Sequence, residues 1–81
     1  MQPFLLALGK KIKALRNDKK ISQEELAFSA DIDVTFVSRI ERGTGNPSYL
    51  TLIKIASALQ VNVKCLIDVQ ENKDDEENAA E

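Results

Sequence analysis

Histidine and tryptophan are absent from these 81 residues, cysteine occurs once and proline twice. Without histidine, and with Cys65 alone, the usual Cys and His zinc sites and an internal disulfide are excluded. The commonest general base is missing too, and Cys65 stands between Lys64 and Leu66, where packing accounts for it better than nucleophilic chemistry. No apolar run approaches the ~20 residues that a helical membrane span requires. The opening MQPFLLALGKKIKALR carries its positive charges after the apolar stretch, the reverse of a secretory signal. A chain this short holds one domain with one small core. We therefore expect a cytoplasmic, non-enzymatic protein without metal, cofactor or membrane contact, acting through its surface.

What is present is a mixed composition, 43% apolar and 30% charged, with an uneven charge distribution. Residues 71–81 hold six acids against Lys73, which leaves ten bases against seven acids in residues 1–70. The net charge of −2 thus conceals a folded part of about +3. We expect a domain over residues 1–69 and an acidic, disordered tail over 70–81, whose composition cannot offset the entropy of ordering it. Such a tail suits either a solubilising end or a weak competitor for the basic surface.

Helical periodicity organises the rest. Phe4, Leu8, Ile12 and Leu15 recur at spacings of three and four, predicting a first helix from Pro3 to about Asp18. Lys10, Lys11, Lys13 and Arg16 occupy its other faces, and Lys19 and Lys20 follow. Ser22 with Glu25 makes a capping box for a second helix, whose inner stripe is Leu26, Ala27 and Ala30. Asp33 caps a third helix, Val34 to Arg42, with Val37 and Ile40 inward and Gly43 closing it. Ser48 caps a fourth helix ending at Leu59, with Leu52, Ile55, Ala56 and Leu59 on its buried stripe. Tyr49 stands at its start, and Leu50 and Ile53 lie partly off the stripe. Asn62 caps a fifth helix, Val63 to Val69, with Leu66 completing the core.

The second and third helices, joined by a few residues around Ile32, form a helix, tight turn, helix unit. Val34, Thr35, Ser38 and Arg39 on the outward side are residue types suited to a major groove: arginine can contact guanine bidentately, hydroxyls donate or accept, and methyl groups meet thymine. Phe36 either packs on sugar and phosphate or folds back under the next loop. Gln23, in the first turn of the second helix, stands where an amide and free backbone N–H groups can together hold a phosphate, or is simply an exposed polar residue.

Four blocks, LGKKIKALR from Leu8, SQEELA from Ser22, VSRIERG from Val37 and NPS from Asn46, together resemble the Xre/Cro family of helix-turn-helix regulators over about residues 5–67. The resemblance implies an all-α, five-helix lambda-repressor-like domain that binds double-stranded DNA, similar to restriction-modification controller proteins and small phage or antitoxin regulators. It implies that Gln23 grips phosphate, that Val34, Thr35, Ser38 and Arg39 face bases, and that the loop around Asn46 and Ser48 approaches the backbone. It also implies that Arg16 and Glu41 form a buried structural pair between the first and third helices. Three positions where relatives often have glycine are Lys20, Asp31 and Gln60 here, so positive φ is expected at a cost. The loop after Gly43 lacks the bases common in relatives, which shifts its phosphate grip toward backbone N–H groups and makes the salt dependence shallower.

One recognition helix reads few base pairs, so a homodimer on a palindromic operator is expected, joined through Leu50, Ile53, Val63 and Ile67. Exposed Glu24 is a candidate for contact with RNA polymerase if the protein activates. The alternative is an interaction module with the same fold, binding a toxin or another protein, which the acidic tail and the spare apolar residues favour.

Overall fold

Ser22, Asp33, Ser48 and Asn62 each precede a helix in the computed structural model of the protein, which describes residues 3–69. Five helices run in order: α1 (Pro3–Asp18), α2 (Gln23–Ala30), α3 (Val34–Glu41), α4 (Tyr49–Leu59) and α5 (Val63–Ile67), with no strand among the described residues. The expected tail over 70–81 lies outside them.

Each start is made by a side chain that accepts an otherwise unpaired backbone N–H. Ser22 Oγ accepts from Glu25 N at 3.0 Å while Ser22 N donates to Glu25 Oε1 at 2.7 Å, completing the capping box. Asp33 Oδ1 accepts from Thr35 N at 2.8 Å, Ser48 Oγ from Thr51 N at 3.1 Å, and Asn62 Oδ1 from Lys64 N at 2.9 Å. Two ends fall short of the expected bounds. Arg42 is the C-cap of α3 rather than its last residue, because Gly43 turns to φ +82° immediately after it. α5 stops at Ile67, since Asp68 leaves the helical region (φ −88°, ψ 69°).

The core is one cluster: Leu8 and Ile12 from α1, Leu26, Ala27 and Ala30 from α2, Val37 and Ile40 from α3, Leu52, Ile55, Ala56 and Leu59 from α4, and Leu66 from α5. All of these were expected to face inward, whereas Phe4 and Leu15, from the same predicted face of α1, are only half-buried against the cluster. Small residues set the closest approaches. A Cβ at Gly9 would collide with the carbonyl oxygen of Ile40 and lie 2.7 Å from that of Glu41, so α1 can lie against the end of α3 only with glycine there.

Lys20, Asp31 and Gln60 adopt φ of 60°, 59° and 60°, each ending a helix or its following turn in the left-handed region. Side chains with a Cβ are disfavoured there, lysine and glutamine more than aspartate. Replacing Gln60 with glycine is expected to raise stability by about 0.5–1 kcal/mol, read as a higher urea midpoint with unchanged slope. A lower midpoint would mean that Gln60 makes compensating contacts in solution.

Candidate nucleic-acid interface

α3 is amphipathic in a way that leaves a definite face outside. Val37 and Ile40 are buried; Thr35 and Arg39 are exposed and Ser38 is half-exposed. Val34 and Phe36, both expected to face DNA, are half-buried and pack against the core. The Phe36 ring thus lies partly against the core, because an aromatic ring flanking Val37 gains more from apolar contact than from water. The offered face is centred on Thr35, Ser38 and Arg39.

The loop after α3 is fastened to that helix by its backbone. Thr44 N and Gly45 N both donate to the carbonyl of Arg39, at 2.9 and 3.0 Å, and Gly43 N donates to Ile40 O at 3.0 Å. These three N–H groups are thus occupied within the protein. Pro47 has no N–H, so the loop's remaining donors are at Asn46 and Ser48, both exposed. The Ser48 hydroxyl already caps α4 and lies 3.0 Å from Thr51 Oγ1.

Behind this face lies a buried polar network. Arg16 Nε donates to Glu41 Oε2 at 2.7 Å and Nη2 to Glu41 Oε1 at 3.1 Å, a bidentate pair joining α1 to α3. Arg16 Nη1 donates to Ile21 O at 2.8 Å, tying the entry to α2. The hydrogen bond to Glu41 raises the Arg16 pKa above its ordinary value against an opposing effect of burial, so the guanidinium stays charged at any physiological pH. Gln23 Nε2 donates to Glu41 Oε1 at 2.9 Å, so the amide at the start of α2 belongs to the same network.

The apolar surface divides into two places. Tyr49, Leu50 and Ile53 on α4 are 60%, 62% and 41% exposed, whereas Val63 and Ile67 are half-buried and shared with the core. On α2, Phe28 is 88% exposed, beside a groove lined by Lys19, Ile21, Glu24 and Ala58. Phe28 was not singled out from the sequence, although its place off the stripe of Leu26, Ala27 and Ala30 already turns it outward.

Two short helices packed together across a tight turn, the second presenting a polar, arginine-bearing face, define a helix-turn-helix module. The chain belongs to the helix-turn-helix family, which residues 12–64 match. Among its relatives is the control protein C.BamHI of Bacillus amyloliquefaciens, 45% identical over 64 residues that span 78% of this chain and 79% of that one. The fold is similar to the restriction-modification controller protein C.AhdI from Aeromonas hydrophila, with a TM-score of 0.76, 37% identity, and coverage of 76% of this chain and 94% of that one. It is similar also to a variant of C.Esp1396I bound to its highest affinity operator site, with a TM-score of 0.73, 34% identity, and coverage of 76% and 82%. Among the described residues no helix is long and apolar enough to cross a membrane.

Proposed function

We propose that the protein is a sequence-specific transcriptional regulator that binds a palindromic operator as a homodimer, in the manner of a restriction-modification controller or a phage-type repressor. The observation that carries this reading is the outward face of α3, with Thr35, Ser38 and Arg39 together and no competing ion pair on Arg39 among the described residues. Arg39 and Ser38 read base edges, while Gln23, Asn46 and Ser48 fix the module on the phosphates. The capping box takes the N–H groups of Ser22 and Glu25, which leaves those of Gln23 and Glu24 at the positive end of α2 for a phosphate oxygen. The protein works by binding rather than catalysis, in the cytoplasm where its DNA is.

Dimerisation runs through the exposed apolar side of α4, with Leu50 and Ile53 at its centre and Val63 and Ile67 at its edge. Replacing Ile53 with aspartate meets water on a residue already 41% exposed, so the monomer fold is retained. We expect sedimentation to change from dimer to monomer and operator affinity to fall on the order of 100-fold, because the two half-sites are no longer engaged together. An unchanged dimer would move the interface elsewhere.

A second reading is favoured by one observation. Phe28 and exposed Glu24 share a face of α2 one turn apart, suited to a protein partner: RNA polymerase if the regulator activates, or a toxin if the module serves chiefly to hold one.

A further inference from the structure

The bond from Gln23 Nε2 to Glu41 Oε1, at 2.9 Å, joins the residue read above as a phosphate contact to the buried ion pair. We propose that Glu41 is a positioning residue for DNA binding: it holds the Gln23 amide so that its second N–H is presented to a phosphate, while Arg16 cancels the carboxylate's charge. This inference rests on the reading of Gln23 as a phosphate contact.

The chemistry of the three groups dictates the arrangement. A carboxylate only accepts, so the Gln23 amide must turn its NH2 group toward Glu41, and the flipped orientation would set two oxygens against each other. The amide nitrogen has two N–H bonds, and the second enters no bond among the described residues. A free glutamine samples many rotamers, most of which point this donor elsewhere. Held by Glu41, the side chain is already oriented when DNA arrives. A bare carboxylate beside a phosphate would repel it. Arg16, bonded to both Glu41 oxygens, makes the pair neutral and so permits the acceptor to sit there. The role differs from simply holding α1 to α3, because it acts through a side chain at the start of α2, eighteen residues from Glu41 in sequence.

The test is a double-mutant cycle on DNA affinity, using Gln23→Met, Glu41→Gln and the double variant against a mixed-sequence duplex at low salt, where phosphate contacts supply nearly all binding. Each protein is first verified as folded by circular dichroism. Gln23→Met is expected to weaken binding about ten-fold; Glu41→Gln also leaves the Arg16 charge uncancelled, an effect common to both backgrounds, so the positioning role is read as the coupling, with Glu41→Gln about five-fold more damaging beside Gln23 than beside Gln23→Met. Equal loss from Glu41→Gln in both backgrounds would overturn the positioning role and leave a purely structural one. No loss from Gln23→Met would instead overturn the reading of Gln23 as a phosphate contact. A second readout needs no DNA: the two side-chain N–H protons of Gln23 should be well separated in the wild-type NMR spectrum, and should approach ordinary glutamine positions in Glu41→Gln. Coincident behaviour in both proteins would show that the bond to Glu41 does not orient the amide.

Discussion

Replacing Glu41 with alanine is expected to destabilise the domain by about 3–5 kcal/mol, because it leaves the Arg16 guanidinium buried without its counter-charge. Glu41 and Arg16 are only 8% and 9% exposed, and Glu41 accepts three hydrogen bonds that the variant would break at once. The energetic asymmetry matters here. A buried ion pair contributes little net stability relative to a well-packed apolar pair, yet removing one member exposes the full desolvation cost of the other. For a domain of this size the loss corresponds to a fall in melting temperature of roughly 12 °C or more, a large part of the stability such chains possess. Thermal unfolding followed by circular dichroism measures it. A melting temperature within a degree or two of wild type would mean that the pair does not persist in solution.

Replacing Arg39 with alanine should have the opposite signature, loss of recognition with stability intact. Its side chain is exposed, whereas its carbonyl anchors Thr44 and Gly45, so truncation at Cβ removes the proposed base contact and leaves the loop in place. Affinity for the preferred site should fall by about 1–3 kcal/mol, the worth of a bidentate contact to guanine, while binding to unrelated DNA changes little. Titrations against the selected duplex and a scrambled one separate the two effects. A proportionate loss on both would assign Arg39 to phosphate instead.

Much of the fold can be read from local sequence pattern. Helix starts were legible at Ser22, Asp33, Ser48 and Asn62 because a cap and its N–H partner lie within three residues, and the core was legible because helical spacing places it. The left-handed backbone at Lys20 and Gln60 was not local information; neither residue type calls for it, and only resemblance to relatives with glycine raised it. The bond between Gln23 and Glu41 was invisible for the same reason, since it depends on how α2 crosses α3. Phe36 illustrates the limit of periodicity: an aromatic side chain is long enough to fold back from an outward position and reach the core. Phe28 shows the converse, a position whose exposure the spacing did encode. Its lesson is that departures from an apolar stripe carry information about surfaces just as the stripe does about the core.

We propose that this module selects DNA by sequence as a two-fold dimer. The most direct measurement is affinity selection from a random pool of duplex DNA at about physiological salt. The account predicts a two-fold symmetric site with half-site centres about one helical turn, ~34 Å, apart, the spacing two recognition helices require. A pool that remains random, with only weak, salt-sensitive binding, would contradict it and would leave the exposed apolar faces of α2 and α4 as the working surfaces.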